Sequence, residues 1–197
     1  NASRDLGITD IYSDEDLTTR VVADHGYLDV ADESSITGGT AEFYYTPAGD
    51  TAAILLQAGF ASTDGARYRI VSTGVADAFT AVISLPDRAP QLTRAKLLPL
   101  NASSNFDFLD LYAVPADESV DDNSAVRPFL APNEVVAPLG LATGSYDIYV
   151  TEFAEKVPLA GPFRIDVALG DIVELIFVDT DDPAVLDVLF LSGGPID

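Results

Sequence analysis

Gly39-Thr40-Ala41-Glu42-Phe43-Tyr44-Tyr45-Thr46 and Gly144-Ser145-Tyr146-Asp147-Ile148-Tyr149-Val150-Thr151 are one pattern written twice, 105 residues apart. Gly, Tyr and Thr coincide, and Glu42 matches Asp147. In the later stretch Tyr146, Ile148 and Val150 alternate with Asp147 and Tyr149; in the earlier one Ala41, Phe43 and Tyr45 alternate with Glu42 and Tyr44. Successive side chains of a strand point to opposite sheet faces, so a period of two predicts half-buried β-strands.

The repetition extends outward. Asn1-Ala2-Ser3 recurs as Asn101-Ala102-Ser103, and Asp10-Ile11-Tyr12 as Asp110-Leu111-Tyr112, both at an offset of 100. Gly65 and Gly170 keep the offset of 105, so five extra residues fall between about 113 and 143. Self-similarity at a fixed spacing marks duplicated structural units. The expectation is two tandem repeats, residues 1–90 and 91–197. Arg94-Ala95-Lys96-Leu97-Leu98-Pro99-Leu100 leads into the second Asn-Ala-Ser and has no mate within the chain. The first repeat is therefore expected to lack its first strand, through trimming or because that strand comes from elsewhere.

Other runs agree with an all-β reading. Phe163, Ile165 and Val167 alternate with Arg164 and Asp166, and Ile172 to Val178 reads as a more fully buried strand. Thr46-Pro47-Ala48-Gly49-Asp50, Asp64-Gly65, Gly170-Asp171 and Asp181-Asp182-Pro183 supply turns. Twelve prolines oppose long helices; a short helical turn is expected only near Asp14 to Val22. Strands about ten residues apart, with turns between, predict antiparallel β-sandwiches or barrels.

Charge sets the partners. The 197 residues hold 32 Asp and Glu against 10 Lys and Arg, a formal net charge of -22. Such a surface repels nucleic acid and anionic lipid, both of which are bound through Lys and Arg. Salt would screen its self-repulsion, which suits a salty exterior. With 48% hydrophobic residues the chain can bury a core, unlike a disordered acidic tail. No cysteine is present, so disulfides and thiolate metal sites are excluded. The chain has no run of 18 apolar residues and no signal segment, and it is expected to be a processed or trimmed product.

Catalytic patterns are sparse. The single histidine, His25, lies between Asp24 and Gly26 in a segment that reads as a polar loop, and no Gly-x-Ser-x-Gly elbow accompanies it. Carboxylate pairs are so abundant that none stands out as a glycosidase pair. Asp14-Glu15-Asp16, Asp117-Glu118 with Asp121-Asp122, and Asp179-Asp181-Asp182 are oxygen-rich clusters of the kind calcium takes, though none has the EF-hand spacing. Tyr12, Tyr44, Tyr112 and Tyr149 recur in pairs; cross-strand packing accounts for them, with sugar or partner contact as the alternative. No catalytic, cofactor-binding or metal residue is assigned.

The order of these motifs resembles a bacterial and archaeal family of exported repeat domains, catalogued only as a domain of unknown function. Its pattern runs Arg-x-x-Asn/His-Ala-Ser-Pro, Asp-Val-Tyr, then Gly-x-Tyr-x-x-x-Val-Thr. Ser104 and Arg4 stand where that pattern has Pro, and Ala41 replaces the strand Tyr of the first copy. The resemblance implies two tandem immunoglobulin-like antiparallel β-sandwich domains in an exported or lipid-anchored protein, and it implies no catalytic residues. The functional expectation is a non-catalytic structural or adhesive protein, extracellular or on the cell surface. It would be a fibre subunit assembling by β-strand addition, with itself or other envelope proteins as partner. Leu191 to Asp197, or an N-terminal extension, would be the donor. The alternative is a glycan- or protein-binding envelope module, stabilised by calcium.

Overall fold

The computed structural model describes residues 1–76 and 78–193. The protein is all-β, with one short 3-10 turn (Val120–Asp122) among the described residues. The chain divides into two compact units, Asn1–Pro86 and Asp87–Asp197.

The first unit contains β1 (Thr9–Tyr12), β2 (Arg20–His25), β3 (Gly39–Pro47), β4 (Leu56–Ser62), β5 (Arg69–Thr73) and β6 (Thr80–Ser84). β2-β1-β3-β4 form an antiparallel sheet, and β5-β6 form a two-stranded one. Ile11, Phe43, Tyr45 and Leu56 of the larger sheet make the core, with Ile70 and Ile83 of the smaller one packed against it. The period of two in β3 thus has a physical cause: one face meets the second layer.

The second unit contains β7 (Ala95–Asn101), β8 (Leu109–Pro115), β9 (Arg127–Leu130), β10 (Leu139–Leu141), β11 (Gly144–Glu152), β12 (Pro158–Val167), β13 (Ile172–Asp179) and β14 (Leu186–Gly193). They form two open four-stranded sheets, β10-β7-β13-β14 and β12-β11-β8-β9. Leu97, Leu175 and Phe177 of one sheet meet Leu109, Leu111, Ile148 and Val150 of the other in a common core. Two layers around one apolar core are a β-sandwich-like arrangement. The pairing of β7 with β13 is parallel, whereas β7–β10 and β13–β14 are antiparallel.

Two buried charges sit in the β10-β7-β13-β14 sheet. Lys96 Nζ lies 2.7 Å from Asp87 Oδ2, and Glu174 Oε1 lies 2.9 Å from Arg88. Through these pairs residues 87 and 88 are fastened to β7 and β13. The Lys96 ammonium foremost holds the Asp87 carboxyl below its ordinary pKa.

Asn-Ala-Ser is a corner held by side chains. Asn101 Oδ1 accepts from Ser103 N–H (3.0 Å), while its Nδ2 donates to Phe106 O (3.3 Å) and Leu130 O (3.4 Å). Ser103 Oγ donates to Asp179 and accepts from Phe106 N–H (3.3 Å). In the first unit Asn1 Oδ1 accepts from Ser3 N–H (2.9 Å), and Ser3 Oγ donates to Gly74 O (2.6 Å) and accepts from Leu6 N–H (3.3 Å). A short amide has a donor end and an acceptor end, so Asn101 binds three backbone groups at once.

The segment near Asp14 to Val22 is not helical. Residues 14–17 form a turn, with Leu17 at φ 53°, and β2 begins at Arg20. Asp14 accepts from Thr18 N–H (2.9 Å) and Thr19 N–H (2.6 Å), so its carboxylate draws the backbone away from a helical ladder. Those bonds, Thr18 N–H foremost, hold its pKa below the usual carboxylate range.

Asn101 is fully buried. Asn101→Ala should lower the stability of the second unit by about 2 kcal/mol, since the amide's buried partners would be left unsatisfied. Urea unfolding measures this, and an unchanged midpoint would show that the corner is not held by that amide.

Candidate functional site

A strand can be paired along both edges, and β13 is: β7 on one side, β14 on the other. At the offset of 105, β5 stands where β13 stands in the second unit and β6 stands where β14 stands. β6 pairs with β5 along one edge. Among the described residues no strand lies on the other, whose contact with the chain's start is Ala2 N–H to Ser72 O (2.9 Å). The matching bond in the second unit is Ala102 N–H to Phe177 O (2.9 Å), directly beyond the end of β7. Residues 34–36 match β10 by position and carry no strand assignment.

This edge changes the core beneath it. Leu141, Leu175 and Val188 are all buried in the second unit, Leu175 completely. Their counterparts Ile36, Ile70 and Ile83 are half-buried. An open backbone edge beside half-exposed β-branched residues is a template for another strand.

The expected C-terminal donor is partly committed elsewhere. Leu191 pairs with Glu174 and Gly193 with Ile172, so Leu191 to Gly193 complete β14 of the second unit. Residues 194–197 lie outside the described residues.

His25 is not a loop residue. It closes β2, is buried, and places Nε2 3.1 Å from the Asn1 nitrogen; burial pushes its pKa down to about 4. The imidazole is therefore neutral near pH 7. It lines an open depression of about 390 Å³ with Val21, Val22, Asp29, Val30 and Ser34.

The acidic clusters are taken up in loop construction. Asp14 holds its turn, and Asp179 accepts from Ser103 Oγ and from Ser104 N–H (2.8 Å). Asp121 and Asp122 lie in the 3-10 turn capped by Ser119. Among the described residues no three His, Asp or Glu side chains converge as a metal site would require. No helix among them is long and apolar enough to cross a membrane. The paired tyrosines are cross-strand neighbours: Tyr12 faces Tyr44 on β1–β3, and Tyr112 faces Tyr149 on β8–β11. Tyr12, Tyr44 and Tyr112 are buried, and Lys156 Nζ lies 5.4 Å from the centre of the Tyr112 ring.

Asp10 and Asp110 are the carboxylates that matter most to loop geometry. Asp10 is buried; it accepts from Asp24 N–H (3.0 Å) and Gly49 N–H (3.0 Å) and pairs with Arg20 (2.9 Å). Asp110 accepts from Phe129 N–H (2.9 Å) and Ala154 N–H (3.1 Å). Asp24, Gly49, Phe129 and Ala154 all have positive φ. Each carboxylate thus clasps two left-handed residues, one in a strand (Asp24 of β2, Phe129 of β9) and one in a loop (Gly49, Ala154). Burial alone would raise the Asp10 pKa, but the Gly49 and Asp24 amides and the Arg20 guanidinium outweigh it and hold it below the usual range.

A folded-state pKa below the unfolded value of about 3.9 gives stability that is present above that pH and lost as pH falls through the folded value. Asp10→Asn should therefore destabilise the first unit by about 1–3 kcal/mol at pH 7. The difference from the unaltered protein should shrink as the pH drops below about 4. Thermal melts across pH test this, and a gap that stays constant into acid would contradict it.

The sequence matches no protein-family model, and no curated protein matches it.

Proposed function

We propose that the protein is a non-catalytic structural or adhesive module of the cell surface or extracellular space, built from two tandem immunoglobulin-like β-sandwich repeats. It assembles by strand addition. The acceptor is the open edge of β5, and the donor is a segment of a second copy outside the described strands, with a pattern like that of Arg94 to Leu100, since β7 itself is paired with β10 and β13 in every copy. The single observation that carries this reading is the contrast, among the described residues, between β13, flanked on both edges, and β5, flanked on one.

The second unit supplies the template for the docked strand. β7 runs parallel to β13 in the register Glu174↔Leu98, Leu175↔Pro99 and Ile176↔Leu100. Pro99 has no N–H to donate, so a donor of this kind still carries backbone acceptors at every position while its neighbours supply the donors. A strand so placed against β5 covers Ile70 and lies beside Ile36. Backbone bonds provide the affinity and the alternating apolar side chains provide the register. Because acceptor and donor are different surfaces, the contact is heterologous and grows into an open chain rather than closing as a dimer.

A synthetic peptide of residues 94–103 should bind the protein, raise the melting temperature of the first unit and shorten multimers seen by light scattering. Electron microscopy of native material should show filaments or a ladder of multimers. A monomer that ignores the peptide, with β5 amides already protected from hydrogen exchange, would overturn the proposal.

A further inference from the structure

Phe108, Phe129 and Phe153 come from three segments of the second unit and meet at its surface. The Phe108 and Phe129 rings stack with centroids 4.0 Å apart and planes 20° apart, and Phe153 meets Phe129 edge-on at 4.8 Å. Phe129 is 48% exposed and Phe153 45%. The buried Asp110 carboxylate fixes them, through the N–H groups of Phe129 and of Ala154, the residue after Phe153. Phe153 N–H also donates to Phe108 O (3.1 Å). Phe129 has φ 59°, a conformation that bulky side chains rarely take.

The first unit has the same clasp without the rings. Asp10 holds Asp24 and Gly49, and Ala48 N–H donates to Ile8 O (3.0 Å). Ile8, Asp24 and Ala48 stand where the second unit has Phe108, Phe129 and Phe153. The backbone arrangement is therefore compatible with small or polar side chains. Asp suits the left-handed position far better than Phe. Two exposed rings on a half-buried third, one of them on a left-handed backbone, are not needed to build the corner.

We infer that this aromatic cluster is a docking site for an apolar polypeptide segment flanked by Lys or Arg. Exposed aromatic rings clustered on a rigid support have the composition of interface hot spots. Charge complementarity selects the flanks: the chain's net charge is -22, and exposed Asp107 and Glu152 adjoin Phe108 and Phe153. The same charge opposes a second copy of this chain docking here. The buried Asp110 carboxylate, bound to two amides, is not presented to a sugar's hydroxyls. Strand pairing is not the mode of recognition, since Pro128 has no N–H and that of Phe129 is bound to Asp110. The site is independent of the β5 edge.

The test uses the full chain and a double variant, F129D with F153A, which restores at those positions the residue types of the first unit. Its melting temperature should equal or exceed that of the unaltered protein. The probe is a fluorescein-labelled Lys-Leu-Phe-Leu-Lys peptide, read by fluorescence anisotropy, with Glu-Leu-Phe-Leu-Glu as control. The cationic peptide should bind the unaltered chain, more tightly at low salt, and the variant at least about tenfold more weakly. The substitution adds a negative charge, so attraction by charge alone would strengthen binding instead. Equal or tighter binding to the variant, equal binding of the acidic control, or no binding of the cationic peptide would overturn the inference. So would ring-dependent binding of a neutral oligosaccharide or of phosphatidylcholine vesicles in its place.

Discussion

A β-strand inside a sheet has two rows of backbone groups to satisfy, and among the described residues the two units differ in whether both rows are met by strands. β13 meets both through β7 and β14, and the apolar residues beneath it are closed off, Leu175 and Phe177 completely. Among the described residues β5 meets one row through β6, and Ile70 and Ile83 are half-buried. The backbone condition and the side-chain condition are linked. A strand that pairs with β5 brings its own apolar side chains over the same residues, so hydrogen bonds and apolar burial favour the same partner.

The corners of each unit rest on a few short polar side chains rather than on length of strand. Asn101 and Ser103 tie the end of β7 to the loop before β8, to Leu130 and to Asp179. Asp110 ties β9 to the β11–β12 connection. Each side chain satisfies backbone groups at places where the ladder is interrupted, as at the register shift between Leu109 and Leu111. Such a frame leaves the neighbouring side chains unconstrained by folding, which is how Asp24 and Phe129 can occupy like positions with unlike chemistry.

The strands were legible because period-two alternation and turn residues report directly on a sheet with one covered face. β3, β11 and β13 carry that signal, and so does the pairing of Tyr12 with Tyr44 and Tyr112 with Tyr149. The parallel direction of β7 against β13 was not legible, since alternation says nothing about which neighbour a strand chooses. The turn at Asp14 was misread as helical because its carboxylate bonds leave no mark in the hydrophobic pattern. His25 looked like a loop residue between Asp24 and Gly26, yet the left-handed turn at Asp24 swings its ring inward. The aromatic cluster leaves no mark in the repeat, because Phe108, Phe129 and Phe153 stand out only as differences from Ile8, Asp24 and Ala48.

Net charge limits how such a chain can associate. Two molecules each carrying -22 repel over distances set by the ionic strength, with a screening length of about 8 Å at 0.15 M salt. Strand addition acts at hydrogen-bond range, so it can dominate only after screening lets the edges meet. In salt-free solution the repulsion would oppose the proposed growth, and at high salt it is largely confined to contact distance. A cationic partner at the aromatic cluster experiences the opposite trend, being drawn in most strongly when salt is low. The two proposed surfaces would therefore respond to ionic strength in opposite directions, and salt would favour pairing between copies over a basic partner.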